Sequence, residues 1–237
     1  MYKNIKTIAM ATALIIQGVY AEDAKWNSSF DLGATITSGN SDTSLVTLGY
    51  QASKLGKADE YFTNFSYTFG ETESETTNDE LLATASWNHL ISETVYAGLR
   101  FDFRRDDIAD IEYRVGLSGV LGKYLIKNDS TYLAFEAGVG YTTESVGSEE
   151  EDFLNVYVGD RFEHKLNDKT RIYQTLGITA PADDFDDFSL VAELGIETFL
   201  SERLALKIYA QDKYEGEPAE GLEENDLRFV TGVSYKF

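Results

Sequence analysis

Apolar and polar residues alternate with a period of two along almost the whole chain. Trp26, Phe30, Leu32, Ala34 and Ile36 fall on one face of an extended segment, and Asn27, Ser29, Asp31, Gly33 and Thr35 on the other. The same pattern recurs in Tyr61, Thr63, Phe65, Tyr67 and Phe69, in Leu81, Ala83, Ala85 and Trp87, and in Val95, Ala97, Leu99, Phe101 and Phe103. It continues through Ile111 to Leu117, Leu133 to Tyr141, Ile172 to Ile178, Leu190 to Ile196 and Leu204 to Ala210, and ends with Leu227, Phe229, Val233, Tyr235 and Phe237. With Val46, Leu48, Tyr50 and a segment around Leu154, the pattern predicts about twelve strands, each near the roughly 9–11 residues that cross a bilayer. An even number of strands, apolar outside and polar inside, predicts an all-β fold: a transmembrane antiparallel up-and-down β-barrel.

Two places resist the alternation. Leu154, Val156, Val158 and Phe162 share a face with Asp160, and a carboxylate on the lipid side is costly, so a bulge beside Gly159 is expected to re-aim it. The register of the hairpin around Lys123 to Thr131 is the second open point.

The connections differ in character. One set is acidic: Ser38 to Asp42, Glu71 to Glu80, Asp106 to Asp110, Glu144 to Asp152, Asp183 to Asp187 and Glu215 to Asp226. The other is compact and basic, centred on Lys54 and Lys57, Lys123 and Lys127, Lys165 and Lys169, and Arg203. Long loops outside and tight turns in the periplasm are the rule for such barrels, which places both termini in the periplasm. Aromatics gather near strand ends, with Trp26, Tyr61, Trp87 and Tyr235 at one rim and Phe69, Phe103, Tyr113 and Tyr141 at the other, as interfacial girdles do.

The front of the chain changes the picture from membrane protein to exported one. Lys3 and Lys6 precede an apolar stretch from Ile8 to Ile16 and a small residue, Ala21, before Glu22. That is the layout of a secretory signal peptide over residues 1–21, leaving 22–237 as one barrel domain. The apolar stretch is about half the roughly eighteen residues a helical anchor needs.

There is no cysteine, so an exported chain of this kind relies on closed-sheet hydrogen bonding rather than disulfides. Without Lys3 and Lys6 the chain carries 18 basic against 41 acidic residues, a net charge of −23. Such a surface repels phosphate backbones, and nucleic acid is excluded as a partner. The expected surroundings are outer-membrane lipid and lipopolysaccharide of a Gram-negative cell, with divalent cations at the acidic loops, and the barrel is expected to be a monomer.

The run Tyr113-Arg114-Val115-Gly116-Leu117-Ser118-Gly119, followed by Glu136-Ala137-Gly138-Val139-Gly140-Tyr141, joins Gly33 and the Thr37-Ser38-Gly39-Asn40-Ser41 turn in a further pattern. Together these segments resemble the salt-induced outer-membrane proteins, a YdiY-like family of unknown function, over nearly the whole mature chain. The departure lies at Gly122-Lys123-Tyr124, where a longer turn follows the glycines. The resemblance implies an outer-membrane barrel with a role in salt or osmotic response, and it supplies no catalytic residue. The terminal Phe237 is similar to the aromatic signal read by the barrel assembly machinery.

The inward face is where chemistry would lie. It gathers Arg100, Arg104, Arg114, Arg161, Arg171, Lys207, Lys213, Arg228 and Lys236 against Asp31, Asp102, Glu112, Glu136, Glu163, Glu193 and Glu197. So balanced a set predicts an internal ion-pair network that constricts the lumen, with a small passive pore for ions or solutes as the alternative. Within it, Arg114 is expected to meet Glu112 or Glu136, Arg161 to meet Glu163 or Glu193, and Arg100 and Asp102 to share the same waist. Inward glycines, Gly33, Gly49, Gly98, Gly116, Gly138, Gly140, Gly159, Gly177, Gly195 and Gly232, are expected to make room for the long charged side chains.

An enzyme is disfavoured. His89 and His164, the two histidines, fall at periplasmic strand ends, and neither has a serine two residues on. Carboxylate pairs such as Asp183-Asp184 lack an apolar frame that would raise one pKa. No acidic loop has the ligand spacing and glycine of a dedicated calcium loop, and no cofactor is expected.

Overall fold

The computed structural model describes residues 25–37, 43–147, 149–219 and 221–237. The expected signal peptide, the Ser38 to Asp42 connection and Glu220 therefore lie outside the described residues. Twelve strands follow one another: β1 (Trp26–Thr37), β2 (Thr43–Leu55), β3 (Asp59–Thr72), β4 (Glu75–Leu90), β5 (Val95–Asp106) and β6 (Ile111–Lys127). The second half comprises β7 (Thr131–Val146), β8 (Glu149–Lys165), β9 (Thr170–Pro181), β10 (Ser189–Phe199), β11 (Leu204–Glu215) and β12 (Asn225–Lys236). Each pairs antiparallel with its chain neighbours, and β1 pairs with β12 to close the barrel. Closure removes the sheet edges, so strand backbone groups are satisfied without water. The β1–β12 seam is short, running from Ser29–Lys236 to Gly33–Gly232.

The alternation sorts the side chains as a bilayer requires. Large apolar residues point outward and are exposed: Val139 by 70%, Leu154 by 67% and Phe229 by 67%. Threonines, asparagines and ions point inward and are buried. A water-soluble barrel would do the reverse, so this band is a lipid-contact surface, as in outer-membrane barrels. At the end where the termini lie, Trp26 packs 6.2 Å from Tyr61, and Tyr61 pairs across the ladder with Trp87.

The acidic connections are shorter than the sequence suggests. Strands run through most of Glu71 to Glu80 and Glu144 to Asp152, leaving a two-residue turn at 73–74, while β7 ends at Val146 and β8 begins at Glu149. Glu73 and Ser74 both take left-handed backbone conformations, φ 53° and 69°, which is the twist a two-residue hairpin needs. The long connections are 182–188 and 216–224, so the length contrast that suggested an orientation rests on these.

No register shift occurs beside Gly159, where a bulge was expected. Asp160 stays in the outward row and accepts a hydrogen bond from Gln174 Nε2 at 3.2 Å, so a cross-strand partner does what re-aiming would have done. The shifts fall instead at Gly70/Glu71, Arg104/Asp106, Ile111/Tyr113 and Tyr124/Ile126. The last of these fixes the uncertain Lys123 to Thr131 hairpin, burying Tyr124 and exposing Leu125.

Candidate functional site

The inward rows build three features: an ion-pair cluster towards the acidic end, a charged and aromatic wall below it, and a cavity between walls. In the upper cluster the Glu80 carboxylate of β4 takes Lys213 Nζ at 2.7 Å, Arg228 Nη1 at 2.9 Å and Arg104 Nε at 3.3 Å. Arg104 also meets Asp106 at 3.0 Å and Glu215, while Lys213 reaches Asp106 at 3.2 Å. Arg114 joins Glu144 and Glu215, the latter at 2.8 Å. Since β11 stands six places from β5 in the barrel order, the Lys213 and Glu215 contacts cross the lumen.

Arg114 therefore does not meet Glu112 or Glu136. The shift between Ile111 and Tyr113 reverses the alternation there, burying Ile111 at 2% exposure and turning Glu112 outward. Arg100 donates to Asp102 at 2.7 and 2.9 Å and lies 3.6 Å from Glu136. Arg161 Nε and Nη2 donate to Glu163 at 3.2 and 3.0 Å; Arg171 links Glu163 to Glu197, both at 2.6 Å. Glu193 lies away from Arg161: it accepts from Tyr173 at 2.9 Å and Gln211 at 3.1 Å and sits 3.5 Å from Lys207.

Several lumenal carboxylates escaped the sequence reading. Glu80, Asp106, Glu144 and Glu215 lie in acidic runs of the sequence, but each continues the inward parity of its strand. Glu60, 2% exposed, accepts from Tyr124 of β6 and lies 2.9 Å from Lys127, again across strands that are not neighbours. The signal available was the period-two pattern itself, followed past the point where the sequence turns acidic.

Some of the inward glycines make room for tyrosines. A Cβ on Gly122 would overlap the Tyr96 ring, one on Gly159 the Tyr157 hydroxyl, and one on Gly195 the Tyr173 ring. At these three positions the missing side chain seats a tyrosine rather than an arginine or glutamate. The seated hydroxyls of Tyr96 and Tyr157 both donate to Glu136, at 2.8 and 3.1 Å.

Beside this wall runs a cavity of about 680 Å³. Its lining reaches Asn27 and Phe237 at the termini end and Asp187 and Ser189 at the other. At the acidic rim the two long connections are tied together by Gly216 N–H donating to the Phe188 carbonyl at 2.8 Å. Burial, together with Glu144 and the nearby Glu217 and Glu215 carboxylates, pushes the Asp187 carboxyl up to about 6, against the pull of Arg114.

His89 Nδ1 lies 3.0 Å from Asp59, which also accepts from Trp87 at 2.9 Å, and His164 contacts Thr131 at 2.8 Å. Both histidines stand at the termini end, as interfacial and turn residues.

Known proteins agree with this geometry at the level of fold. The barrel superimposes on the NanC porin with TM-score 0.55 and 8% identity, covering 88% of this chain and 100% of that one. An outer membrane channel from Pseudomonas putida F1, of the COG4313 group, gives TM-score 0.51 and 11% identity, over 90% of this chain and 94% of that one. No curated protein matches the sequence. The model of one family, described as "Protein of unknown function, DUF481", matches residues 30–237.

Proposed function

The chain belongs to the DUF481 family of proteins of unknown function, and we propose that its barrel is a small passive pore of the Gram-negative outer membrane, narrowed by the cross-lumen ion pairs. The observation that carries this reading is the cavity whose lining reaches both rims. A purely structural barrel would have no use for so large a polar interior, whereas a pore needs a wetted path with polar walls. The Lys213 and Glu215 contacts bridge opposite walls and narrow that path towards its acidic end.

In this reading the acidic connections face the cell exterior, concentrate cations at the mouth and share divalent ions with lipopolysaccharide phosphates. Phe237 serves the barrel assembly machinery, and the resemblance to salt-induced proteins makes adjustment to external salt the physiological setting. Planar-bilayer recording of the purified barrel at several salt concentrations tests the proposal. Steady ohmic steps with a cation preference that fades at high salt are expected; silence at every concentration would leave a plugged, structural barrel.

A further inference from the structure

The charge in the lumen is not spread around its circumference. Side chains that β2, β3 and β4 contribute to the cavity include Gln51, Ser53, Asn64, Thr84, Ser86 and Asn88, and none is ionised. The carboxylates these strands do point inward, Glu60 and Glu80, are each 2% exposed and lie outside the cavity lining. Glu60 is covered by Tyr124 and Lys127, and Glu80 by Arg104, Lys213 and Arg228. Among the described residues, no side-chain hydrogen bond engages Gln51, Asn64, Thr84 or Ser86, and the buried Oδ1 of Asn88 has no partner. One wall of the cavity is therefore a strip of free amides and hydroxyls.

The facing wall offers little to a charged visitor. The Arg100 fork is taken by Asp102, Arg161 by Glu163, and Arg171 by Glu163 and Glu197. Arg161 is also held 4.4 Å from the Phe62 ring and 5.0 Å from the Tyr132 ring, and Arg100 4.6 Å from Tyr157. An anion or cation that binds at these forks must break an internal pair and leave a stranded charge; Lys236 and Asp187, which line the cavity without an ion pair among the described residues, stand at its two ends. A neutral hydroxylated solute need only exchange water for the amide and hydroxyl strip, with aromatic rings near its other face.

We infer that this strip is a transit and recognition site for small uncharged polyhydroxylated solutes of about monosaccharide size, an inference that rests on the pore reading. A cavity of about 680 Å³ lies within the range of roughly 300–1,000 Å³ typical of small-molecule sites.

The experiment compares arabinose with arabinonate, an anion of similar size, in liposome-swelling assays on the full barrel, alongside single-channel conductance in KCl. Arabinose is expected to enter faster than arabinonate. Asn64→Leu with Thr84→Val removes amide and hydroxyl at nearly constant volume, and should slow arabinose by about three- to tenfold while KCl conductance stays near the parental value. Ser86→Ala, a smaller change, should slow it less and serves if the double variant loses its folded gel mobility. The inference falls if the barrel conducts KCl but arabinose does not enter, or if the variants leave its rate unchanged. If neither KCl nor arabinose passes, the pore reading falls and takes this inference with it.

Discussion

Glu80→Gln is the substitution that probes the cross-lumen cluster most directly. Glutamine keeps the shape and removes one charge from a set of four cations, Arg104, Arg114, Lys213 and Arg228, facing four carboxylates, Glu80, Asp106, Glu144 and Glu215. The Glu80 side chain is 2% exposed, and those of Arg104 and Lys213 are 7% and 5% exposed, so the stranded cations have little water to turn to. Removing one partner of a buried pair costs about 3–5 kcal/mol. At about 2–4 °C per kcal/mol for a chain of this size, the unfolding midpoint should fall by about 6–20 °C. The assay is the temperature at which the detergent-folded barrel loses its heat-modifiable gel mobility. A second change, Lys213→Met, removes one surplus cation and should restore more than half of the loss, because the two sites share one network. A midpoint within about 2 °C of the parent would refute the reasoning, since a solvated cluster tolerates the missing charge.

Other expectations follow from the same geometry. The carboxyl of Asp187, raised to about 6 from an ordinary value near 4, binds its proton more tightly in the folded barrel. Its ionisation thus weakens the fold above pH 6, and the penalty is relieved as pH falls from about 6 towards 4. The parent's unfolding midpoint should gain on that of Asp187→Asn as pH drops through this window, and parallel pH profiles would refute it; the groups facing it are Glu144, Arg114, Glu215 and Glu217. Gly195→Ala should displace the Tyr173 ring and destabilise by about 1–3 kcal/mol in urea titration. Adding Tyr173→Ala should then cost less than it does in the parent, and strict additivity would show that the ring is not seated there. Protease treatment of whole cells should cut within 216–224 and spare 56–58 and 166–169; the opposite pattern would invert the proposed orientation.

The period-two alternation is a local property, and it carried the fold class, the strand count and the outward face of nearly every strand, because a bilayer demands the same alternation at each crossing. Bulges interrupt that locality. Ile111 reads as an outward residue beside Tyr113, yet the shift between them turns it inward and sends Glu112 out. The site depended on more distant relations still. Glu215 meets Arg104 across 111 residues and Lys213 meets Glu80 across 133, and such contacts exist only once the barrel closes and its stagger fixes which residues share a height. Acidic runs at Glu80, Glu144 and Glu215 look like solvated loops in one dimension, whereas in the closed barrel each sits in an inward row and lies against a cation from another strand. The alternation thus determined what faces lipid, and closure alone decided which charges meet, because the first is set by neighbours in the chain and the second by neighbours around a ring.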